Sequence, residues 1–383
     1  MADQKSGDNA RTRVFPVVKH IKDALEERGW TQKELAFVMG RSPSQISNLM
    51  VGRMELSPEI AQELGVVLGG GGEHWLGLDA AYRLSQTEYV DNQVVLRSKI
   101  FSYPIKEMQK RRWIADTKEV SELECELKRF FGTDELDAPL SLDAAGELPF
   151  EASFKRTIKE SELNRAEKAW VARARQLATV CPASPFNEAN MDRLQSDLRR
   201  FAAKSGAVHR VPELLAKCGI RYVIVEPLPT VKIDGAAFWL DINSPVIAMS
   251  LRYDNIGSFW FALMHEVDHI KHKDKFSFDD LETRTGVEID EDEKRANENA
   301  ANILVPRQEL EAFIRAYSPR YSEARINNLA TQLQIHPGII VGQLQHKGEI
   351  TYAAFRKMMV KVRHLAIAMA FTDGWGQAIP QPS

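Results

Sequence analysis

The sequence has few cysteines and no long apolar run, and these absences exclude several classes of protein. Three cysteines in 383 residues, Cys125, Cys181 and Cys218, form neither a disulfide framework nor a CxxC zinc ribbon. A reducing cytoplasm is therefore the expected location. The longest uncharged apolar run, 365–371, is far shorter than the ~20 residues of a membrane-spanning helix, so no membrane partner is expected. The polar segment 1–13 lacks the apolar core of a signal peptide.

The chain also lacks a large charge of one sign. It has 50 basic and 53 acidic residues, which gives a formal net charge of −3 with histidine neutral. The whole chain is therefore not a general binder of polyanions, and any surface for nucleic acid must be local. A hydrophobic fraction of 44% and a charged fraction of 27% are typical of a folded globular protein. The length predicts two or three domains.

Composition and helix signals divide the chain into segments. We expect a mainly α-helical protein with one α+β part. The expected order is a disordered leader (1–13), a small helical domain (14–85), a helical connector (86–205), an α+β domain (206–320), a C-terminal helical region (321–372) and a tail (373–383). Three β-rich runs separated by turn residues predict a small three-stranded sheet at 220–225, 236–240 and 246–250.

Two capping boxes mark the starts of two short helices in the first domain. In each box, a hydroxyl caps a helix and a side chain three residues later reaches back. Thr31 pairs with Glu34 in the first box, and Ser42 pairs with Gln45 in the second. A tight turn that contains a glycine, 39–41, separates the two helices. This arrangement predicts a helix-turn-helix.

The second helix, 42–50, is the expected recognition helix. Its apolar residues are expected to face the domain core: Ile46, Leu49 and Met50. Its polar residues are left to read base edges in the major groove: Ser44, Gln45, Ser47 and Asn48. Arg41 and Arg53 flank the helix and are candidate phosphate contacts. Between residues 1 and 56, nine basic residues face seven acidic ones, so we expect weak binding per domain and a homodimer. The alternative is a helix-turn-helix kept only for dimerisation.

Residues 14–84 resemble the Xre-type helix-turn-helix domain and, within it, the HigA antitoxin group. The resemblance rests on 28–36, 42–52, 56–61 and the pair Trp75-Leu76. It implies a five-helix, lambda-repressor-like domain that binds a double-stranded DNA operator, and it implies a toxin partner. A second helix-turn-helix-like pattern, 326–344, is interpreted as core packing.

A strongly apolar helix is predicted at 255–273, and it contains a motif that is typical of metal sites. Residues 265–269 read His-Glu-Val-Asp-His, an HExxH motif. Residues four apart lie on one helix face, so His265 and His269 can bind one metal ion. Glu266 is then placed to take a proton from a water molecule on the metal, whose pKa zinc lowers to about 7.

The surroundings of the motif favour a metal site over two surface histidines. The run 259–264 predicts a buried helix, in which histidine and glutamate side chains need polar partners. Catalytic zinc takes three protein ligands and keeps one open position, and we expect one zinc ion per chain. Glu293 is the candidate third ligand, with Glu291 and Glu298 as rivals. Asn297, one helical turn after Glu293, is expected to hydrogen-bond a ligand histidine.

Two further residues near the motif are candidates for the catalytic group. Tyr253 lies just before the helix and is a candidate to stabilise a tetrahedral oxyanion, with a core tyrosine as the alternative. His272 follows His269 by three residues and is a candidate catalytic helper, with a surface histidine as the alternative. The predicted strands suit a peptidase whose edge strand holds an extended substrate.

The stretch 211–362 resembles the ImmA/IrrE family of zinc metallopeptidases. The resemblance rests on the apolar run before the HExxH motif and on three later segments: 296–297, 304–306 and 335–342. It implies a compact thermolysin-like, gluzincin-type domain with Glu266 as the base. It also implies zinc at three positions of this chain: His265, His269 and Glu293.

Members of this family cleave a partner transcriptional repressor at a limited site, under stress or in mobile elements. The sequence departs from the family pattern at two positions. Glycine or alanine is common where Asp268 stands, and phenylalanine is common where Asn299 stands. We expect Asp268 to add a negative charge beside the metal.

Two functions fit these features. The first is a DNA-binding transcriptional regulator with a zinc metalloendopeptidase that cleaves a partner repressor or itself, in a switch linked to stress, phage or a toxin–antitoxin pair. The second is a HigA-like antitoxin that binds its operator and a toxin, and whose zinc site is structural, sensory or inactive. They diverge at Glu266, because replacing this base abolishes the first function and leaves the second intact.

Overall fold

The computed structural model describes residues 16–86, 91–136, 163–274, 276–279 and 291–373. For 276–279 it describes the backbone. The chain folds into two compact units, the N-terminal unit (1–96) and the C-terminal unit (97–383). The predicted leader lies outside the described residues, and so does the predicted tail apart from Asp373, which is buried. Within the described ranges, no helix is both long and apolar enough to cross a membrane.

The described part of the N-terminal unit contains the five helices that the sequence predicts. They are α1 (Val17–Arg28), α2 (Gln32–Val38), α3 (Pro43–Met50), α4 (Pro58–Leu68) and α5 (Gly71–Gln86), and α6 (Asn92–Phe101) contains the boundary between the units. Apolar side chains of all five helices form one core, because burying apolar surface drives folding. Its most buried members include Ile21, Leu35, Ile46 and Leu64, each 0% exposed.

Both predicted capping boxes are present. The Thr31 hydroxyl accepts the backbone N–H of Glu34 at 3.3 Å, and the Glu34 carboxylate accepts the N–H of Thr31 at 2.6 Å. Ser42 and Gln45 make the same exchange at the start of α3, at 3.2 and 3.0 Å. These caps satisfy N–H groups that the first turn of a helix leaves unpaired. They therefore fix where α2 and α3 begin.

Helices α4 and α5 pack closely where Gly65 meets the glycine run 69–72. The run is not a loop throughout, since α5 begins at Gly71. A Cβ atom on Gly65 of α4 would lie 2.4 Å from the carbonyl carbon of Gly71 and 2.5 Å from the nitrogen of Gly72. Because a carbon atom does not fit at such distances from backbone, the contact requires glycine at position 65.

The described part of the C-terminal unit is an α+β unit. Its helices are α7 (Ile105–Lys110), α8 (Val120–Phe131), α9 (Arg165–Val180), α10 (Met191–Phe201), α11 (Val211–Lys217), α12 (Ile256–His272), α13 (Glu291–Leu304), α14 (Arg307–Tyr317), α15 (Glu323–Leu333), α16 (Pro337–His346) and α17 (Arg363–Ala366). Its strands are β1 (Arg221–Ile224), β2 (Gly235–Trp239), β3 (Pro245–Met249), β4 (Phe276–Asp279) and β5 (Phe371–Thr372). The three predicted strands are thus confirmed as β1, β2 and β3.

The strands form one mixed sheet in the order β4-β2-β3-β1-β5. β1 pairs in parallel with β3 and β5, and β2 pairs antiparallel with β3 and β4. The predicted three-stranded sheet therefore lacked both edge strands. Neither edge strand has a clear signal in the sequence. Strand β5 has only two residues, and β4 has only four residues and precedes an acidic stretch.

The helix with the HExxH motif, α12, packs on this sheet. Thirteen of its seventeen residues are buried, which confirms the predicted buried helix. It begins at Asn255, whose side-chain oxygen accepts the backbone N–H of Ser258 at 2.9 Å. It contacts β2, β3 and β4 on one side and α13 and α16 on the other. The core of the C-terminal unit therefore surrounds the motif.

The second helix-turn-helix-like pattern, 326–344, forms α15 and α16. Seven of the ten residues of α16 are buried, and α16 packs on α12. A helix buried to this extent has no free face for a DNA groove. The interpretation of this pattern as core packing is confirmed.

Most of the segment interpreted as a connector, 86–205, belongs to the C-terminal unit. Helix α9 packs on β1, where the indole N–H of Trp170 donates to the carbonyl of Val225 at 2.9 Å. Arg199 of α10 donates to the carbonyl groups that end α13 and α15, at 2.8 and 2.7 Å. These contacts build the segment into the unit that contains the sheet.

The packing of α4 on α5 predicts opposite effects for two glycine-to-alanine substitutions. We expect Gly65→Ala to destabilise the N-terminal unit by about 1–3 kcal/mol, because the new methyl group meets backbone that no rotamer change can move. We expect Gly77→Ala, in α5 with nothing within 4 Å of its Cβ position, to stabilise the unit by up to about 1 kcal/mol through helix propensity.

Hydrogen exchange of peptides from α4 and α5 in the full-length protein measures both effects. Faster exchange is expected for Gly65→Ala, and unchanged or slower exchange for Gly77→Ala. Equal exchange in the two variants would show that α4 and α5 do not pack at Gly65.

Candidate metal centre and nucleic-acid interface

Three side chains converge inside the C-terminal unit. His265 and His269 project from one face of α12, and Glu293 projects from the first turn of α13. The two Nε2 atoms lie 2.9 Å apart, and the Glu293 carboxylate lies 3.2 Å from the first and 3.4 Å from the second. The two imidazoles are fully buried, and the carboxylate is 10% exposed. The predicted i, i+4 pair and the predicted third ligand thus meet at one point.

The geometry of these three residues fits a metal ion. Their ligand atoms all lie within 4.8 Å of one another. Bonds of about 2.0–2.1 Å at tetrahedral angles would place ligand atoms about 3.3 Å apart, close to the observed separations. Two ring nitrogens 2.9 Å apart also need a proton or a cation between them, because two lone pairs that face each other repel. The three residues can therefore hold a metal ion.

The electrostatics of the site favour a positive charge. Burial lowers the pKa of His269, but hydrogen bonds to Asp274 and Glu293 and the charge of Glu266 outweigh burial and raise the pKa to about 10. Burial raises the pKa of Glu293, but hydrogen bonds from His265 and His269 outweigh it and lower the pKa to about 2. The two histidines and Glu293 thus favour a proton at the place where a metal cation would supply the positive charge.

The structure brings Glu293 to the histidines and leaves its rivals outside. Glu291 begins α13 and Glu298 lies in its middle, and both are exposed. Glu293 is buried, at 8% exposed. Because α13 packs along α12, the residue that faces α12 within its first turn is the one that reaches the imidazoles.

Asp274 is a functional candidate that the sequence analysis missed. Lys273 ends α12 in the left-handed conformation, which turns the chain back so that the Asp274 N–H donates to the His269 carbonyl at 3.0 Å. The Asp274 carboxylate then accepts the Nδ1 proton of His269, at 2.6 Å. A carboxylate at Nδ1 orients the ring and leaves Nε2 for a metal. The sequence offered only an acidic residue five positions after His269.

The other predicted members of the metal and catalytic group lie at a cavity and beside Asp268. Asn297 is on the wall of the cavity, and the contact at a histidine that was expected of it is made by Asp274 instead. Tyr253 lies three residues before the start of α12 and lines the same cavity. His272 faces Asp268, with Nδ1 at 2.9 Å from its carbonyl and 3.2 Å from its carboxylate.

The two departures from the family pattern meet in one contact. Asn299 donates from Nδ2 to Oδ1 of Asp268 at 3.0 Å, and Arg295 donates from Nε to Oδ2 at 3.2 Å. The Asp268 carboxylate therefore faces α13, where a cation and an amide bind it. Arg295 also donates to Asp274 and Asp292.

Glu266 is held between α12 and the start of β2. Its side chain is fully buried. A Cβ atom on Gly235 would lie 2.7 Å from Oε1 of Glu266 and 2.9 Å from its Cγ. Because Gly235 has no side chain, the Glu266 carboxylate has room at this position. Glu266 belongs to the same motif as the two histidines.

A cavity of ≈ 640 Å³ lies one helical turn from the triad. Phe261 of α12 and Asn297 of α13 form its near wall, and the ring centroids of Phe261 and His265 are 6.3 Å apart. Apolar side chains from α13, α16 and the following segment form much of the rest: Leu304, Ile339 and Met359. Exposed polar side chains stand at its rim: Glu298, His346 and Lys347.

In the N-terminal unit, α3 presents a polar face to solvent. Its apolar side chains are buried as predicted: Ile46, Leu49 and Met50. The predicted base and phosphate contacts on α3 and after it are exposed: Ser44, Gln45, Ser47, Asn48 and Arg53. Arg41 differs, because its guanidinium binds the Glu63 carboxylate through two hydrogen bonds of 2.5 and 2.9 Å. Arg41 thus ties the turn before α3 to α4.

Comparisons with known proteins match this part of the chain. The helix-turn-helix family model HTH_3 matches residues 21–75, a range that includes α2, α3 and α4. The uncharacterized HTH-type transcriptional regulator YddM of Escherichia coli (strain K12) is 37% identical over 68 residues, which are 18% of this chain and 72% of YddM. The chain therefore belongs to the helix-turn-helix family of transcriptional regulators.

Proposed function

We propose that this regulator carries an ImmA/IrrE-type zinc metalloendopeptidase in its C-terminal unit, with one zinc ion per chain. The observation that carries the proposal is the convergence of His265, His269 and Glu293 with Glu266 buried beside them. The proposed substrate is a partner repressor or this chain itself. Cleavage would serve a cytoplasmic switch linked to stress, phage or a toxin–antitoxin pair.

The donor set suits zinc in a hydrolytic role. Catalytic zinc uses three protein ligands, such as two imidazoles and one carboxylate, and keeps its fourth coordination position for water or substrate. Zinc would supply a Lewis acid that polarises the scissile carbonyl and lowers the pKa of a water molecule. His265 and His269 would hold the ion as neutral rings, with Nε2 as the ligand atom. The hydrogen bond between Asp274 and Nδ1 of His269 leaves Nε2 for this role.

Glu266 is the proposed general base and acid. Its carboxylate takes a proton from the attacking water while the water oxygen bonds to the peptide carbon. The same carboxyl group then gives that proton to the amide nitrogen as the C–N bond breaks. Gly235 keeps the carboxylate in place by leaving room for it.

Two features near the triad suit an extended peptide substrate. Strand β4 is an edge strand of the described sheet, and an added peptide strand can pair with such an edge. The cavity one turn from the triad has an apolar wall that can take side chains of the peptide. The substrate would therefore enter as an unfolded segment of a protein rather than as a folded surface.

The N-terminal unit is proposed to place this activity at an operator. Exposed amide and hydroxyl groups on α3 can hydrogen-bond base edges in the major groove: Ser44, Gln45, Ser47 and Asn48. Arg53 is free of the ion pair that holds Arg41 and is the better phosphate contact. A homodimer would double the contacts, as in other regulators of this type.

A HigA-like antitoxin with a structural zinc site is the second candidate function. The observation that favours it is the burial of all three ligand residues, at 0%, 0% and 8% exposed, since structural sites are closed to solvent. In this case the metal would stabilise the C-terminal unit, and Glu266 would have no catalytic role. The two candidates therefore differ in the expected effect of replacing Glu266.

Metal content and cleavage together test the peptidase proposal. Wild-type protein purified without chelators is expected to contain about one zinc per chain, and Glu293→Ala to lose it, because a third ligand is removed. Glu266→Gln is expected to keep the zinc and to cleave at least about 100-fold more slowly, because an amide cannot accept the proton. Mass spectrometry of the metal, of the chain and of a proteome-derived peptide library gives all three readouts.

Cleavage by Glu266→Gln at the wild-type rate would rule out the base. Zinc in the wild type without cleavage of any peptide, with loss of folding in Glu293→Ala, would favour the structural site. Wild-type protein without metal would overturn both zinc proposals.

The space at Gly235 gives a second test of the base. Gly235→Ala is expected to lower kcat by roughly 10-fold or more, because the new methyl group displaces the Glu266 carboxylate. Zinc content should not change, since the three atoms nearest to the new methyl group all belong to Glu266. Gly206→Ala is the matched control, with nothing within 4 Å of its Cβ position. Wild-type kcat in Gly235→Ala would show that Glu266 need not hold this position.

DNA binding is tested on the duplex that the wild-type protein selects from a random pool. Asn48→Ala is expected to weaken binding to this duplex by roughly 10-fold and to relax sequence preference, because base-edge contacts are lost. Arg53→Ala is expected to weaken binding to all sequences and to lower the salt slope by about 1. Gln86→Ala, at the far end of α5, is the control. Equal binding by all three variants would remove α3 from the interface.

A further inference from the structure

A charged network lies behind the metal centre and links the elements that supply its ligands. Arg295 of α13 donates from Nε to Oδ2 of Asp268 at 3.2 Å. Its two terminal nitrogens donate to Asp274 and to Asp292. Asp268 is on α12 between the two histidines, and Asp274 follows α12. One guanidinium therefore joins α12, the turn after it and α13.

We propose that Arg295 is a positioning residue of the metal centre, which holds Asp274 against His269 and thereby sets the affinity for zinc. The inference rests on the proposed zinc site but not on its peptidase activity. Arg295 itself does not touch the three ligand side chains in any described contact, so it would act through Asp274.

The sharing of one oxygen atom carries this inference. Oδ2 of Asp274 accepts both the Nδ1 proton of His269, at 2.6 Å, and a terminal N–H of Arg295. A carboxylate on a single side-chain bond can rotate, and the second donor removes that freedom. The planar guanidinium presents its donors in a fixed fork, so the position of α13 fixes the direction of the Asp274 carboxylate.

The charges around the network give the same answer. The side chains of Asp268 and Asp274 are 2% and 9% exposed, and Arg295 is 28% exposed. Without Arg295, the buried carboxylates of Asp268 and Asp274 would lose the cation that they share. A buried carboxylate that loses its cation turns toward other hydrogen-bond donors. Such a turn of Asp274 would release Nδ1 of His269.

The two residues that depart from the family pattern, Asp268 and Asn299, fit this role of Arg295. Asn299 donates to Oδ1 of Asp268, while Arg295 takes Oδ2. Both oxygens of the buried carboxylate are therefore satisfied from α13. These contacts lock α13, which carries Glu293, against α12, which carries His265 and His269.

Zinc affinity measured by competition with a chromophoric chelator tests the proposal on full-length protein. Arg295→Met is expected to weaken zinc binding about 10- to 100-fold, as the loss of a contact behind a metal ligand does. Arg295→Lys is expected to fall between this variant and the wild type, because one ammonium group cannot span the carboxylates as the fork does. Lys294→Met removes an exposed charge from the same helix and is expected to bind zinc within twofold of the wild type.

A double variant separates positioning from simple charge balance. Asp268→Asn combined with Arg295→Met removes one of the two buried carboxylates together with the cation, so it should recover part of the urea stability that Arg295→Met loses. If Arg295 positions Asp274, zinc affinity stays as low as in Arg295→Met alone. Recovery of wild-type affinity in the double variant would overturn the proposal, and so would equal affinities of Arg295→Met and Lys294→Met. If Arg295→Met does not fold, the double variant and Arg295→Lys carry the same comparison.

The measurement uses no substrate, so its failure differs from failure of the proposed function. A wild type that binds zinc but cleaves nothing contradicts the peptidase and leaves the role of Arg295 standing. Unchanged zinc affinity in Arg295→Met contradicts this inference and leaves the peptidase standing. A wild type that does not bind zinc overturns both.

Discussion

The burial of ionisable groups on α12 is the constraint on which the C-terminal unit depends. Four residues with such side chains on this apolar helix are at most 1% exposed: His265, Glu266, Asp268 and His269. Each buried ion without partners would cost several kcal/mol, roughly the net stability of a domain. The helix therefore folds only where neighbours supply partners, and α13, the turn after α12 and the start of β2 do so. The candidate metal centre and the architecture around it therefore have the same cause.

Local signals in the sequence were enough for the starts of the first helices and for the histidine pair. Capping residues bond within three positions, so the starts of α2 and α3 followed from Thr31 and Ser42. Spacing by four residues places two side chains on one helix face wherever the helix lies, so His265 and His269 followed as well. The choice of Glu293 needed more, since three glutamates in α13 had similar spacing, and the family resemblance supplied it.

The contacts that were missed depend on where elements meet in space. Asp274 reaches His269 because Lys273 ends α12 in a left-handed turn, which no pattern in the sequence announces. Arg295 depends on the register of α13 against α12, and Gly235 on the distance between β2 and α12. Asn297 failed as a histidine partner for the same reason, since one turn along α13 it meets the cavity instead. Helical spacing fixes the face of a side chain but not what stands opposite.

Each proposed function has its residues inside one compact unit with its own core. The candidate DNA contacts lie between 41 and 53, and the candidate metal ligands lie between 265 and 293. A cut in a partner repressor would leave this regulator whole. A cut in this chain between the units would instead release the N-terminal unit, 1–96, which has ten basic and thirteen acidic residues. Without a basic excess, a monomer of this unit would bind DNA weakly, so self-cleavage would end DNA binding only if the proposed dimer contact is lost with the C-terminal unit. The location of the proposed dimer contact would therefore decide which of the two proposed substrates could make this chain a switch.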